Sequence, residues 1–418
     1  MEIKQNVPKI APQNKAFIIA WIFGLIFYFL EYVIRSSPAV MIPELAQHFS
    51  VNALGVSTIL GTYYLTYSVT SLIAGIALDQ GGAKNPIPIG IGILTLGCLL
   101  FVVPTVFGGD SGRLLQGAGS AFAFTGCVYL ASHGFSSKYL ATAIGLTQCV
   151  GMLGGSAGQF IVGPLIHSGL SVNTFWISMG VLCALTAILL YFTTPKEVLV
   201  KSKKVTLTDL ITPYKIVFSN SQSYLSGILS GLLFAPTTIF AMTWGVAFFQ
   251  QDRHLTYDQA VIVCSMVPLG WVIGCPLAGW ISDILGKRKP VLSGGIIIMI
   301  LSYSQMVFFA GAVPAFVSML VFGIASGVAM IPYTIIKEAN PDSVKGSATG
   351  GINFLTFGIT ALIGPVFASR YGKTLVTALD KEEHFRNAGI FMLAITLIAL
   401  IVSFIVKETG HIKNTAAW

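Results

Sequence analysis

The sequence predicts an all-α integral membrane protein: twelve transmembrane helices in two pseudo-symmetric six-helix bundles around a central cavity. Three observations carry this. The composition is too apolar for a water-facing surface. About twelve apolar runs, each long enough to cross a bilayer, follow one another along the chain. One loop motif recurs at half-chain distance.

Of 418 residues, 54% are hydrophobic and 10% charged, and the mean hydropathy is +0.80. Soluble domains carry about 25% charged residues because their surfaces meet water. This chain therefore needs an apolar solvent, the lipid bilayer. The formal net charge of +8 would suit nucleic acid if it formed a stripe, but the charges are sparse and scattered. Nucleic acid is not an expected partner. The six cysteines, Cys98, Cys127, Cys149, Cys183, Cys264 and Cys275, lie inside apolar runs with no CxxC or His-paired spacing. They read as packing residues, and neither disulfide, metal nor cofactor is expected.

A spanning helix needs about 20 apolar residues, and backbone groups in lipid must pair within the segment. The spans are expected near 16–40, 54–78, 87–107, 112–133, 141–165, 173–194, 221–249, 258–281, 290–310, 314–335, 347–369 and 388–407. The first run is too long for a signal-peptide core, and no small-residue cleavage site follows it. The organisation is then a tail over 1–15, a six-helix bundle over 16–194, a linker over 195–220, a second bundle over 221–407 and a tail over 408–418. Of the 24 Lys and Arg residues, seventeen fall on the loops that share a side with both termini. Five, Arg253, Arg370, Lys373, Lys381 and Arg386, fall on the other side. This bias puts both termini in the cytoplasm, with the chain in a bacterial inner membrane.

The halves repeat. Gly75, Asp79 and Gly82 after the second span match Gly279, Asp283 and Gly286 after the eighth, each at an offset of 204 residues. Basic residues close both copies: Lys84 in the first, Lys287 and Arg288 in the second. Gly117-Ala-Gly119-Ser120 in the fourth span matches Gly323-Ile-Ala325-Ser326 in the tenth. Duplication at half-chain length suits two bundles that rock about a shared central site.

The duplicated G-x-x-x-D-x-x-G-x-K/R loop, with Arg113-x-x-Gln116-Gly117-x-Gly119 in the fourth span, resembles the major facilitator superfamily over nearly the whole chain. The resemblance implies a secondary transporter that works as a monomer, with a cavity lined by spans 1, 4, 7 and 10 and parts of 2, 5, 8 and 11. In the loop, Asp79 with Lys84, and Asp283 with Lys287 and Arg288, could latch the inner gate. The first copy departs from the usual pattern at Gln80 and Ala83, so its latch is expected to be the weaker. The fifth span lacks proline within its glycine pattern, Gly151 to Gly158, which favours uptake over export.

Glu31 is the one acidic residue deep in an expected span, and Arg35 follows at i+4 on the same face. A charge at mid-membrane costs at least about 2.5–3.5 kcal/mol on insertion scales. The two could form an ion pair that only orients the helix. Alternatively, Arg35 grips a carboxylate with paired donors while Glu31 binds a proton or a substrate ammonium. Arg113, near Asp110, could form a local ion pair or join a proton route. Tyr63, Tyr67, Thr125, Tyr129, Gln148, Trp244, Phe248, Tyr333 and Asn353 are further candidates to contact substrate. Each could equally be a packing residue. Gln148 and Asn353 stand out because an amide in a span needs a hydrogen-bond partner.

His48, His167, His254 and His384 fall in expected outer loops. No nucleophile triad or P-loop is present, so neither an enzyme nor an ATP-driven pump is expected. The expectation is proton-coupled uptake of a small polar or zwitterionic solute by alternating access. The Phe-Leu-Glu31-x-x-x-Arg35-x-Ser-Pro38 stretch resembles the bacterial phagosomal nutrient transporter group, which implies an amino acid first. Siderophores, nucleosides and organic anions are alternatives, as is export of a drug or siderophore. A non-transporting sensor would need more than these short tails.

Overall fold

The computed structural model describes residues 15–135, 137–196, 207–309, 311–341, 344–372 and 381–410, some of them by backbone alone. The described chain is almost entirely helical. In the N-terminal half the helices are α1 (Lys15–Ser36), α2 (Ile42–Phe49), α3 (Ala53–Gly81), α4 (Pro86–Leu100), α5 (Val106–Gly134), α6 (Ser137–Phe160), α7 (Val162–His167) and α8 (Val172–Thr193). A connecting helix α9 (Leu207–Ser219) follows. The C-terminal half holds α10 (Ser221–Ala235), α11 (Gly245–Gln251), α12 (Tyr257–Leu285), α13 (Lys289–Phe308), α14 (Ala315–Ser326), α15 (Ile331–Glu338), α16 (Lys345–Phe367) and α17 (Lys381–Ile405).

Among the described residues, eleven helical runs are long and apolar enough to cross a membrane. The 15-residue apolar helix α4 makes the twelfth span. Several spans are broken without ending. A 3-10 turn at Ser37–Val40 extends α1, and another at Gly327–Met330 joins α14 to α15. A nine-residue π-helical stretch, Pro236–Trp244, joins α10 to α11. Large apolar side chains such as Phe107 (79% exposed), Phe192 (77%) and Leu362 (74%) cover the outside. In water such a surface would aggregate, whereas in lipid it costs nothing.

Side-chain caps set boundaries that hydropathy misplaces. The third span was expected to reach 107 and the fourth to begin at 112. In the structure α4 stops at Leu100, and Thr105 caps α5 by accepting from Gly108 N at 3.0 Å. Asn52, Ser171 and Thr256 cap α3, α8 and α12 in the same way. The last helix begins at Lys381, seven residues before the expected 388. His384, expected in a loop, is therefore a buried helical residue. The stretch expected as a linker contains α9, whose Tyr214 donates to Leu72 O at 3.1 Å.

Glycines let the spans close on each other. A Cβ on Gly154 of α6 would sit 2.3 Å from Phe29 O of α1, and one on Gly117 of α5 would sit 2.1 Å from Tyr63 O of α3. Both obstacles are backbone atoms, which cannot swing aside. In both copies of the repeated loop the second glycine has positive φ, 65° at Gly82 and 59° at Gly286. Glycine adopts that conformation without a Cβ penalty.

Gly154→Ala should therefore lower the melting temperature in detergent. Overpacking of about 1–3 kcal/mol outweighs the gain in helix propensity. Gly145→Ala, in the same helix but with open space at its Cβ, should hold or raise it. A thermal unfolding scan of both variants checks the contrast.

Candidate functional site

Tyr28, Glu31, Tyr32 and Arg35 occupy positions i, i+3, i+4 and i+7 of α1, which is one face of a helix. They point into the protein. Arg35 Nη2 pairs with Glu31 Oε1, and both side chains are sealed from solvent. Tyr63 of α3 donates its hydroxyl to the same carboxylate oxygen and accepts from Arg35 Nε at 3.2 Å. The guanidinium carbon lies 4.4 Å from the ring centre of Tyr32, 4.7 Å from Tyr67 and 5.1 Å from Phe357. Phe357 belongs to α16, so the C-terminal half closes an aromatic cage around a cation of the N-terminal half. Such faces attract cations, more strongly when desolvated.

Two buried polar atoms in this cluster lack a hydrogen-bond partner among the described residues: Glu31 Oε2 and Arg113 Nε. Arg113 of α5 lies over the far side of the Tyr63 neighbourhood, 4.6 Å from that ring centre. It donates to Gln116 Oε1 at 2.7 Å and Ile34 O at 3.3 Å. The local ion pair with Asp110 does not form. Among the described residues Arg113 meets no carboxylate, although it is only 2% exposed. Two guanidiniums and one carboxylate thus share one apolar neighbourhood.

Beside the cage lies a chamber between the two halves. Its N-terminal wall includes Tyr28, Tyr32, Tyr67 and Gln148, and its C-terminal wall Tyr333, Asn353 and Phe357. Tyr28 donates to Gln148 Oε1 at 3.2 Å and Tyr333 to Asn353 Oδ1 at 2.6 Å. Each amide carbonyl is thereby satisfied by a phenol of its own half. The chamber is contracted to about 10 Å³, room for roughly one water molecule. Arg35 and Glu31 stand behind Tyr32 and Tyr67 rather than on the chamber wall.

The structure brings together Glu31, Arg35, Tyr63, Tyr67, Gln148, Tyr333 and Asn353, with Arg113 adjoining. Four other candidates lie elsewhere. Thr125 returns its hydroxyl to Ala121 O at 2.7 Å within its own helix. Tyr129 stacks on His133 at 4.2 Å. Phe248 stacks on His384 at 5.1 Å, and His384 in turn pairs with Asp252 at 3.0 Å. Trp244 borders a second, larger chamber of about 220 Å³, which Glu44, His167, Gln250 and Tyr257 also line.

The two copies of the repeated loop differ. In the second, Arg288 pairs with Asp283 at 2.7 Å and with Glu338 at 2.8 Å, and donates to Ser282 Oγ at 2.8 Å. Burial alone would lower the Arg288 pKa, but Glu338 and Asp283 hold it above its usual value. Lys287 forms no ion pair among the described residues. In the first copy the Asp79 side chain lies outside the described residues. Lys84 donates to two carbonyls at the end of α8, Tyr191 O at 2.7 Å and Thr194 O at 2.9 Å.

The sequence reading missed Tyr28, Tyr32 and Phe357, though the i, i+3, i+4, i+7 stripe leading to Arg35 announced the first two. It also missed Glu338 and Glu408, which reach the loop from distant segments and leave no local signal.

Twelve spans, duplicated halves and a charged, caged cluster at their interface define a membrane transporter. The chain belongs to the Major Facilitator Superfamily, whose family model matches residues 24–365 and 272–418. It is similar to the hexuronate transporter of Bacillus subtilis, at 22% identity over 87% of this chain and 88% of that one. It is also similar to a Chlamydia muridarum protein provisionally named for hexose phosphate transport, at 24% identity over 91% of this chain and 88% of that one. The solved structure of the nucleoside transporter NupG matches in fold, with a TM-score of 0.69 over 94% of this chain and 99% of that one at 15% identity.

Glu408 gives this end of the C-terminal half a pH dependence. Partial burial pushes its carboxyl up, but backbone N–H groups of Arg288, Gly410, Lys289 and Thr409 outweigh that and hold it below its ordinary 4.5. The stabilisation is complete above that ordinary value and is lost as pH falls through the depressed folded-state value. Glu408→Gln should lower the melting temperature at neutral pH, and the gap from wild type should narrow below about pH 4.5. Melting curves of both proteins across the acid range read this directly.

Proposed function

We propose that this protein moves a small anionic sugar, of the hexuronate kind, across the bacterial inner membrane together with a proton, by alternating access. One observation carries the reading. Among the described residues, two buried guanidiniums lie around Tyr63 with a single carboxylate, Glu31, which pairs with Arg35 alone. Arg113 is thereby left an uncompensated positive charge in a medium where such a charge is costly. A bound anion would neutralise it.

The geometry suggests the order of events. In the empty state Glu31 occupies Arg35. A proton arriving at the unpartnered Glu31 Oε2 would weaken that pair and free the guanidinium for a carboxylate, which it can hold with two parallel donors. Proton and anion would then enter together, since protonation without the anion would deepen the positive excess. Tyr32, Tyr67 and Phe357 would face the apolar side of a sugar ring. Gln148 and Asn353 would exchange their phenol partners for its hydroxyls as the chamber widens. The names of the relatives, a hexuronate transporter and a protein provisionally named for hexose phosphate transport, support an anionic sugar. They weigh against the amino acid that the first-span resemblance implied. The Lys and Arg bias supports a membrane orientation with the Arg288 end in the cytoplasm and the Tyr257 end outside. In that frame the Arg288 network belongs to the inner gate.

A zwitterionic amino acid remains the second reading, because Glu31 stands beside Arg35. Its weakness is that Glu31 Oε1 already accepts from both Arg35 and Tyr63.

Proteoliposomes offered labelled D-glucuronate or L-alanine from outside separate the two. Glucuronate should accumulate under an inward proton gradient, and alanine should not; the reverse outcome defeats the sugar-acid assignment. Glu31→Gln should abolish accumulation while gradient-free exchange survives. Arg35→Lys should weaken apparent affinity at least about tenfold, the equivalent of 1.4 kcal/mol, because an ammonium cannot make the paired contact.

A further inference from the structure

The contracted central chamber and the 220 Å³ chamber near Trp244 are separate spaces, so something closes the route between them. We infer that Tyr257 is the latch of that closure, a positioning residue of the transport cycle that holds the two halves together at the end opposite Arg288.

Tyr257 opens α12 in the C-terminal half. Every partner of its side chain that bears on the closure is in the N-terminal half. Its hydroxyl donates to Val40 O at 2.6 Å, with Gly163 O a weaker second acceptor at 3.2 Å. Its ring stacks on His167 with centres 5.0 Å apart and planes 16° from parallel. Two N-terminal elements, the 3-10 turn after α1 and the helix α7, thus meet on one phenol.

The 3-10 turn matters here because Val40 ends it, so its carbonyl has no next helical turn to bond. The same turn packs against the π-helical stretch Pro236–Trp244. Gly163 permits the approach: a Cβ there would lie 3.0 Å and 3.2 Å from the methyl carbons of Val261 and 3.4 Å from the Tyr257 hydroxyl.

Other ties cross the interface deeper down, including Ser156 Oγ to Ser265 O at 3.1 Å and Gln159 Nε2 to Ala241 O at 2.8 Å. Tyr257 differs from them in position. It lines the larger chamber and is only half-buried. Water can therefore compete for its hydroxyl as soon as the halves part, and the contact is cheap to break. A solute standing in the larger chamber would be next to the latch. The chamber's polar lining of Glu44, His167, Gln250 and Gln251 suits a transient hydrated stop rather than a tight site.

The inference rests on alternating access but on nothing about the solute, so its test uses none. Spin labels at Phe107 and Phe309, exposed on opposite halves at the Tyr257 end, report opening there. A second pair at Phe192 and Ile284 reports the Arg288 end. Electron–electron distance measurements on the full-length protein in nanodiscs compare wild type with Tyr257→Phe. The variant keeps the stacked ring and loses the hydroxyl. The ratio of long to short distances at the first pair should rise roughly fivefold, the shift expected from about 1 kcal/mol of net hydrogen bonding. An unchanged ratio in a variant that melts like wild type overturns the latch. Movement of the second pair in the same sample would show that alternating access itself stands.

A cross-link keeps the test open if Tyr257→Phe folds poorly. Gly163→Cys with Val261→Cys puts two cysteines side by side, since a Cβ on Gly163 lies 3.0 Å and 3.2 Å from the Val261 methyl carbons, and a disulfide needs about 3.5–4.5 Å between Cβ atoms. Oxidation should erase the long component at the first pair, and a reductant should restore it. A long component that persists in fully cross-linked protein overturns the inference.

Discussion

A charge held in an apolar interior must be answered by another charge, and the arrangement around Arg35 follows from that constraint. Glu31 one turn away supplies the countercharge, Tyr63 ties the pair to the second span, and four aromatic faces, that of Tyr63 among them, wrap the cation. These contacts recruit α1, α3 and α16, so the same pair that satisfies the electrostatics also fastens one half to the other. Arg113 adds a second cation without a carboxylate of its own. Among the described residues the cluster therefore holds one cation more than it holds anions.

The spans were legible because lipid imposes a coarse rule. Any run of about 20 apolar residues must be a helix, and a window average detects it. Their ends were less legible, since single side chains decide them. Thr105 starts α5 six residues before the hydropathy suggests, and the charged stretch before His384 disguised the beginning of α17. Glu31 and Arg35 were visible as rare intramembrane charges. The chamber walls were not, because tyrosine and phenylalanine are common in every span and only packing selects Tyr28, Tyr32 and Phe357 from the rest. Thr125 illustrates the converse. A hydroxyl in a span looks available in sequence, yet a helix offers it a carbonyl one turn back.

The two halves share a fold but divide the labour. The N-terminal half supplies the charged groups of the centre, while the C-terminal half answers with aromatic rings and amides. At the repeated loops the division reverses. The second copy is woven into a network of Arg288, Asp283, Glu338 and Glu408, whereas among the described residues Lys84 of the first copy caps the carbonyls at the end of α8 and lies over the Tyr191 ring. The C-terminal half is thus braced at that end by contacts within itself. Relative motion of the two halves would have to part the contacts between them, at the Arg35 cage, at Ser156 and Gln159 and at Tyr257.

The π-helical stretch Pro236–Trp244 has a consequence for how such motion is made. A helix wound with i→i+5 bonds closes each hydrogen-bonded ring over one residue more than an α-helix does, so it is wider and less tightly wound. Tightening the winding would turn everything beyond it about the axis, as a screw advances when its thread changes. Pro236 at the first position withholds a donor and makes the choice of thread less one-sided. Phe248 and Phe249, set just past the stretch and packed into their own half, would be carried round with it. A torsional movement confined to nine residues can thereby reposition one end of a span while its other end stays still.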